Sequence, residues 1–509
     1  MTISLEDVAQ LHSDGLLSNI NSLVSLMLST NELSNPTSIE DQNATVKKYQ
    51  MMVYYADSLY EDDCFKRAER YYTDALKLKK NSAKMKNKAT TSSKPTSTGL
   101  TSEVEIKYKI FKCQTKLDNH KESLNTLESI VPKQRTPKVN MALGRLYQKH
   151  GMERSALTCY KEVLRASPLA LEAVECLLKL GVSLQEVISL MTTTKTKMPD
   201  WLLQYVKGFS FSAVCKYSKA IQVYKSLESQ HLKENINLLS KLGESYYRIG
   251  EKQTASTHFS KLRALDKTNL RGMDIYAHIL ADQGQKAELE ILAQELSDVT
   301  QIKTEPWVAM SYYCSCANQK ARAIYFAQKA HTTDTSNVEA LTLKASLLKS
   351  LNKHQESIIH FREAIRLAPN QLECYEGLVE CHTSLKRNKE AMNIARNAHK
   401  TIGPNARTLA LCAKVYSTDA NLQEKAKAML KKALTHDPSY LPAVYQLVEL
   451  FMKGDEFQGA SELLSKQLES QQTSTLHQLY ADCLKETGNT SESMDQYNKA
   501  LRYEIHHPL

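Results

Sequence analysis

Glycine and proline are scarce in this chain, with fifteen glycines and twelve prolines among 509 residues. Together they make about 5%, against roughly 12% in an average soluble protein. Turn-rich β-sandwiches use these residues at each hairpin, and βα nucleotide-binding folds need glycine where backbone meets phosphate. Both classes are disfavoured, which leaves long helices joined by short links. No apolar run approaches the ~20 residues that cross a bilayer, so no membrane partner is expected. The N-terminus lacks a basic stretch leading into an apolar core, which argues against a secretory signal. The eleven cysteines form no Cys-x-x-Cys pair. They lie singly from Cys64 to Cys483, apart from Cys314 and Cys316, as reduced thiols of the cytosol or nucleus would.

Acidic residues are absent between Asp74 and Glu103, where Lys77, Lys79, Lys80, Lys84, Lys86, Lys88 and Lys94 gather. Without those seven lysines the formal net charge of +10 falls to +3, so the basic character is local. Residues 79–102 are rich in Lys, Ser and Thr and contain Pro95 and Gly99. They read as a disordered insertion. A nuclear-import signal or nucleic-acid contact stands as the alternative to a solvated loop. No aromatic side chain is interleaved with the lysines, so direct nucleic-acid binding is not expected.

What the chain does have is a repeat. From Pro137 to Pro168 it carries Leu143-Gly144, Tyr147, Gly151, Ala156, Tyr160, Val163 and Pro168. This is the tetratricopeptide pattern of two short helices in 34 residues. Units begin near Tyr49, Val104, Pro137, Trp201, Ile236, Leu270, Thr304, Val338, Leu372, Ala406, Leu441 and Ser474, with the spacing constant from Ile236 to Ala406. A degenerate unit fills Leu171 to Asp200. Position eight is small in most units, as at Gly144, Gly243, Ser311, Ala345 and Ala481, and position twenty is small in nearly all, as at Ala156, Ala255, Ala323, Ser357 and Ser493. Two helices can approach closely only where both are small. A large residue follows one turn later, as at Tyr72, Tyr160, Tyr224, Phe259, Phe361 and Tyr497. One pair cannot bury its apolar face alone, so stacking must supply the core. The fold class is therefore all-α, a tetratricopeptide-repeat superhelical solenoid of paired antiparallel helices. Its parts are 1–48 (an N-terminal apolar helix and cap), 49–78 (the first unit), the insertion 79–102, repeats over 103–200, a continuous array 201–503, and a tail 504–509.

In the N-terminal part Leu16, Leu17, Ile20, Leu23, Val24, Met27 and Leu28 recur at helical spacing. Asp14 is placed to cap this helix and Pro36 to end it. The stripe reads either as a cap on the first repeat or as a surface for a second copy of the chain, and the two are compatible.

No phosphate-cradling Gly-x-x-x-x-Gly-Lys-Ser/Thr, dinucleotide fingerprint, Gly-x-Ser-x-Gly elbow or His-Glu-x-x-His metal motif occurs, so no cofactor or metal is expected. A solenoid without chemistry binds. Positions two, five and nine of each unit share the inner helix face, being three and four residues apart. The Lys-and-Asn pair with which chaperone co-factors of this repeat class hold a terminal carboxylate is missing: positions five and nine read Met141 and Arg145, Ser240 and Glu244, Thr342 and Ser346, Glu376 and Glu380. Glu339, Glu373, Glu376 and Glu380 gather on adjacent inner helices and could receive a basic segment through charge-assisted hydrogen bonds; an ordinary solvated face is the plainer reading. Tyr205 with Phe209, and Val308 with Tyr312, offer apolar inner surfaces for a partner helix or extended segment.

Several strings carry a resemblance: HFREAIRLAPNQLECYEGLV from His360, RTPKVNMALGRLYQKHG from Arg135, YKEVLRASPLAL from Tyr160, Glu305-Pro306-Trp307-Val308, MDQYNKAL from Met494 and YQMMVYYADSLY from Tyr49. They resemble the family of the seventh subunit of the anaphase-promoting complex (cyclosome), from the N-terminus to about Leu501. The resemblance implies a non-catalytic scaffold of a ubiquitin ligase acting at the metaphase/anaphase transition and mitotic exit. It also implies a homodimer through the N-terminal repeats, stacking with other tetratricopeptide subunits, and residence in nucleus and cytoplasm with the spindle as a further site. Related subunits grip arginine-ended tails of activators, which would make activator or adaptor tails further partners. The family's acidic tail has no counterpart before His507-Pro508-Leu509, so no role of that tail carries over. The alternative is an independent tetratricopeptide adaptor outside that complex.

Overall fold

A computed structural model describes residues 5–29, 41–86, 101–192, 198–230 and 232–506. The described residues form α-helices joined by short links, with two 3-10 turns and no strand. They divide into two compact units, Met1–Val214 and Cys215–Leu509.

The first unit opens with helices Leu5–Ser13 and Leu17–Ser29. The break between them is made by Gly15, whose φ is +74°. Asp14, expected as the cap of the second helix, instead accepts a hydrogen bond from Gln10 at 2.9 Å on the first. Ile20 and Val24 are fully buried in one cluster with Tyr49, Met52, Val53 and Ala56. This face of the stripe therefore covers the first repeat. Leu16 is 45% exposed and Leu26 66%, while Leu17, Leu23 and Met27 are half-buried at the edge of that cluster. Pro36 and the side chain of Leu28 lie outside the described residues.

Four helix pairs follow: Asp41–Glu61 with Phe65–Lys86, Glu103–Lys116 with His120–Glu128, Pro137–Lys149 with Glu153–Ala166, and Leu171–Lys179 with Leu184–Thr192; helix Asp200–Ala213 closes the unit. Phe65–Lys86 continues past Lys79, where the insertion was expected to begin. The reason is a local anchor: Lys79 Nζ donates to Tyr49 Oη at 3.1 Å and to the Thr101 carbonyl at 3.2 Å. Residues 87–100 of that insertion lie outside the described residues. Asp57 is a polar hub under the first repeats, accepting from Lys109 Nζ at 2.7 Å, from the Tyr72 hydroxyl, and facing His12 at 3.2 Å.

The second unit starts with helix Tyr217–Gln230 and stacks eight pairs, from Ile236–Ile249 with Lys252–Leu265 to Ser474–Glu486 with Thr490–His506. The last helix thus runs three residues beyond the array end expected at 503. Positions eight and twenty meet as their size demands. Ser311 Oγ donates to the Ala323 carbonyl at 2.8 Å, Ser357 to Ala345 at 2.7 Å and Ser493 to Ala481 at 2.8 Å. A hydroxyl can reach the facing backbone only when neither side chain holds the helices apart. The aromatic that follows fills the notch: Tyr160, Tyr224 and Phe259 are 0% exposed and Phe361 1%. Burying each such ring is worth roughly 2–3 kcal/mol.

Position fifteen explains how the chain manages with so little glycine. In eleven of the twelve units the turn between paired helices places that residue at positive φ: Asp63, Asp118, Gly151, Cys215, Gly250, Gly284, Asn318, Asn352, Lys386, Asp455 and Gly488. Aspartate and asparagine tolerate this conformation better than most residues, so they replace glycine at five of these turns. The Ala406 unit departs, using a 3-10 turn over Ala420–Leu422.

Candidate functional site

The inner helices of the second unit set position two, five and nine side chains around a cavity of about 450 Å³. Lys252, His278, Tyr312, Glu373, Glu376, Glu380 and Arg407 are among its walls. Next to His278 of that lining lies charge that is not solvated. Glu339, at position two of helix Val338–Ser350, is only 3% exposed. Its Oε1 accepts from Gln371 Nε2 at 3.2 Å and faces the Arg248 guanidinium at 3.5 Å. Burial would protonate Glu339, but His278, 3.7 Å away, and the charge of Arg248 outweigh it and hold the carboxyl below its usual range.

Glu373, in helix Leu372–Ser384, accepts from the Tyr247 hydroxyl at 3.0 Å. Tyr247 in turn sits 2.7 Å from His278 Nδ1. With Nδ1 protonated, His278 donates to Tyr247 and Tyr247 passes a hydrogen bond to Glu373. Burial opposes the imidazolium, yet the nearby Glu339 and Glu373 carboxylates prevail and raise the His278 pKa. The imidazole stacks on the Tyr312 ring, with centroids 5.2 Å apart and planes 9° from parallel. Asp274, half-buried, accepts from Asn337 Nδ2 at 3.2 Å. Burial first, then the Glu339 charge, push its pKa up to about 7.

The remaining two carboxylates have cations of their own. Glu380 accepts from Lys349 Nζ at 2.5 Å and Lys414 Nζ at 2.9 Å, which hold its carboxyl low despite burial. Glu376 is pushed up by burial, against the lowering influence of Arg407. The four glutamates expected to face a basic partner are thus brought together, and each meets charge or hydrogen-bond donors from this same chain. They are neither an ordinary solvated face nor an uncompensated acidic patch.

The apolar candidates divide. Tyr205 and Phe209 belong to helix Asp200–Ala213 of the first unit, Tyr205 half-buried and Phe209 only 3% exposed within the core. Val308 and Tyr312 belong to helix Thr304–Cys316 of the second, where Val308 is 0% exposed and Tyr312 is covered by His278. Phe209 and Val308 therefore serve packing and offer no surface to a partner. Asp274 and His278 were missed although they occupy positions five and nine of the Leu270 unit; following those positions through every unit would have found them. Tyr247 and Arg248 stand at positions twelve and thirteen, outside the inner-face pattern, and nothing in the repeat frame marks them. Among the described residues no group of three or more His, Cys, Asp or Glu side chains could hold a metal ion, and no helix is long and apolar enough to cross a membrane.

Tetratricopeptide-repeat family models match residues 424–483 and 338–371. Over 504 residues the chain is 39% identical to human "Anaphase-promoting complex subunit 7", covering 98% of this chain and 88% of that protein. It is 27% identical over 521 residues to the Arabidopsis thaliana protein of the same name, covering 99% of this chain and 91% of the other. Among solved structures, the crystal structure of the APC/C hetero-tetramer Cut9–Hcn1 superposes with a TM-score of 0.62 at 16% identity, covering 98% of this chain and 93% of that one. That last likeness establishes the repeat-solenoid fold.

Proposed function

The chain belongs to the anaphase-promoting complex subunit 7 family, and from that premise we propose how it works: as a non-catalytic scaffold of that ubiquitin ligase, associating with other tetratricopeptide subunits and supporting ubiquitination at the metaphase/anaphase transition and mitotic exit. The observation that carries the proposal is that similarity to the human relative covers 98% of the chain. The matched stretch therefore runs through the N-terminal helices that precede the repeat frame. Size-resolved co-purification from dividing cells tests it. The tagged chain is expected in a very large assembly with other tetratricopeptide subunits; a monomer exchanging only short peptides would instead identify an independent adaptor.

The finer part of the proposal is a homodimer through the N-terminal repeats. Leu16 and Leu26 are exposed beside half-buried Leu23 and Met27, and a two-fold contact pairs such a patch with itself. Replacing Leu16 and Leu26 together by aspartate should halve the mass seen by light scattering with helicity unchanged. An unaltered dimer, or a wild-type monomer, would refute this arm while leaving the scaffold role standing. An activator or adaptor tail entering the groove of the second unit would have to displace the resident cations around Glu339, Glu376 and Glu380. Residence in nucleus and cytoplasm, and at the spindle, completes the proposal, and live-cell imaging of a tagged chain through mitosis checks it.

A further inference from the structure

Two side chains of helix Ile236–Ile249 reach partners far along the chain. Arg248 lies 3.5 Å from Glu339, three units on, and Tyr247 donates to Glu373, four units on. Just past the helix, Gly250 sits where an added Cβ would come 3.4 Å from the Arg407 guanidinium, five units on. Adjacent pairs in a stack touch one another; units this far apart touch only across the hollow of the curve. The second unit therefore bridges its own groove.

The bridge ends in a built site. Glu339 is 3% exposed and Gln371 5%. Glu339 Oε2 has no hydrogen-bond donor, His278 Nδ1 lying 3.7 Å away, and Gln371 Oε1 is likewise unpaired. A buried carboxylate oxygen without a donor is costly, and a guanidinium carries five N–H donors in one planar fork. Tyr247 adds an aromatic face, with Arg248 Cζ 5.5 Å from its ring centroid. A planar cation suits that pairing of carboxylate and ring better than a compact ammonium does.

We infer that Glu339, Gln371 and Tyr247 form a guanidinium site inside the groove, that Arg248 is its resident occupant, and that this occupancy latches helix Ile236–Ile249 across the groove and excludes basic segments of other proteins. The ligand of the acidic cluster is thus the chain itself. This latch does not depend on assembly into a larger complex.

The test uses the full chain, Arg248→Ala, and the double variant Arg248→Ala with Glu339→Gln. Two probes are added at matched ionic strength: N-ethylguanidinium, and a fluorescent, N-acetylated, C-amidated octapeptide of Gly and Ser with one central arginine. N-ethylguanidinium should raise the melting temperature of Arg248→Ala saturably, N-ethylammonium should do so less, and neither should shift wild type or the double variant. The peptide should bind Arg248→Ala roughly tenfold more tightly than wild type, as one recovered charge-assisted contact implies. Equal shifts in all three proteins, or wild type binding the peptide as tightly as Arg248→Ala, would overturn the inference. Should Arg248→Ala fail to fold, Arg248→Met retains the apolar stem and carries the same measurements with the same outcomes.

Discussion

Replacing Gly243 by alanine should destabilise the second unit, although alanine is the better helix former. A Cβ built at Gly243 falls 2.8–3.0 Å from three ring carbons of Phe259. The ring has no room to retreat. Phe259 is 0% exposed, a Cβ at Gly272 on its other side would come within 2.7 Å of its Cε1, and the Tyr276 ring lies with its centroid 5.9 Å away. Helix propensity favours alanine over glycine by about 1 kcal/mol, while forcing an extra methyl into a packed core costs about 1–3 kcal/mol. The balance is a loss of about 1 kcal/mol. Gly459 is the control: in helix Phe457–Ser470 a Cβ would meet nothing nearer than 3.9 Å. There the same substitution should stabilise, by up to about 1 kcal/mol.

Urea unfolding resolves the two signs. A repeat array need not unfold in one step, so the signal should come from the second unit alone. Trp307 fluorescence in a Trp201→Phe background supplies it, since the chain has 2 tryptophans. The Gly243→Ala midpoint should fall and the Gly459→Ala midpoint should rise. Adding Phe259→Leu to Gly243→Ala should recover part of the loss, because two contacting residues do not act additively. A Gly243→Ala midpoint at or above the parent would refute close approach at position eight as the reason for that glycine.

Lys386 sits at φ +58° in a turn where nine other units place Gly, Asp or Asn, so Lys386→Gly should stabilise by roughly 1 kcal/mol in the same assay; no gain would mean the turn is not strained. The Asp274 pKa is raised in the folded state to about 7 from 3.8. The folded chain then holds a proton that the unfolded chain has lost. Stability from this group is complete below about pH 4 and disappears as pH rises through about 7. Asp274→Asn should therefore match wild type near pH 4 and exceed it at pH 8, and parallel stability curves for the two proteins would refute the assignment.

The fold was legible because a repeat restates its packing rule in each unit. Small residues at positions eight and twenty, followed by one aromatic, identify the pair whether the small residue is Gly243, Ser311 or Ala345, since the constraint is distance between helix axes. The turn at position fifteen was hidden for the opposite reason. It is set by backbone conformation, which Asp63, Asn318, Lys386 and Cys215 all adopt, so no single residue type marks it. The N-terminal stripe was half legible: periodicity found Ile20 and Val24, but it does not say which apolar neighbours, such as Leu26, stay exposed.

The site was less legible because its contacts ignore the period. A 34-residue frame describes what a side chain meets within its own pair and in the next. Glu339 could be placed on the inner face by that frame, and its solvation was then the natural assumption. Its partner Arg248 is three units away at a position the frame assigns to no surface. What joins them is curvature, the sum of small rotations between successive pairs, and no single unit encodes it. Curvature brings opposite walls of the groove within a side chain's length, and a carboxylate carried inward without a cation would stay buried and unpaired at a cost of several kcal/mol. The charges Arg248, His278, Lys349, Arg407 and Lys414 are therefore conditions for the second unit to curve as it does. It follows that removing them one at a time should loosen the groove before it unfolds the helices.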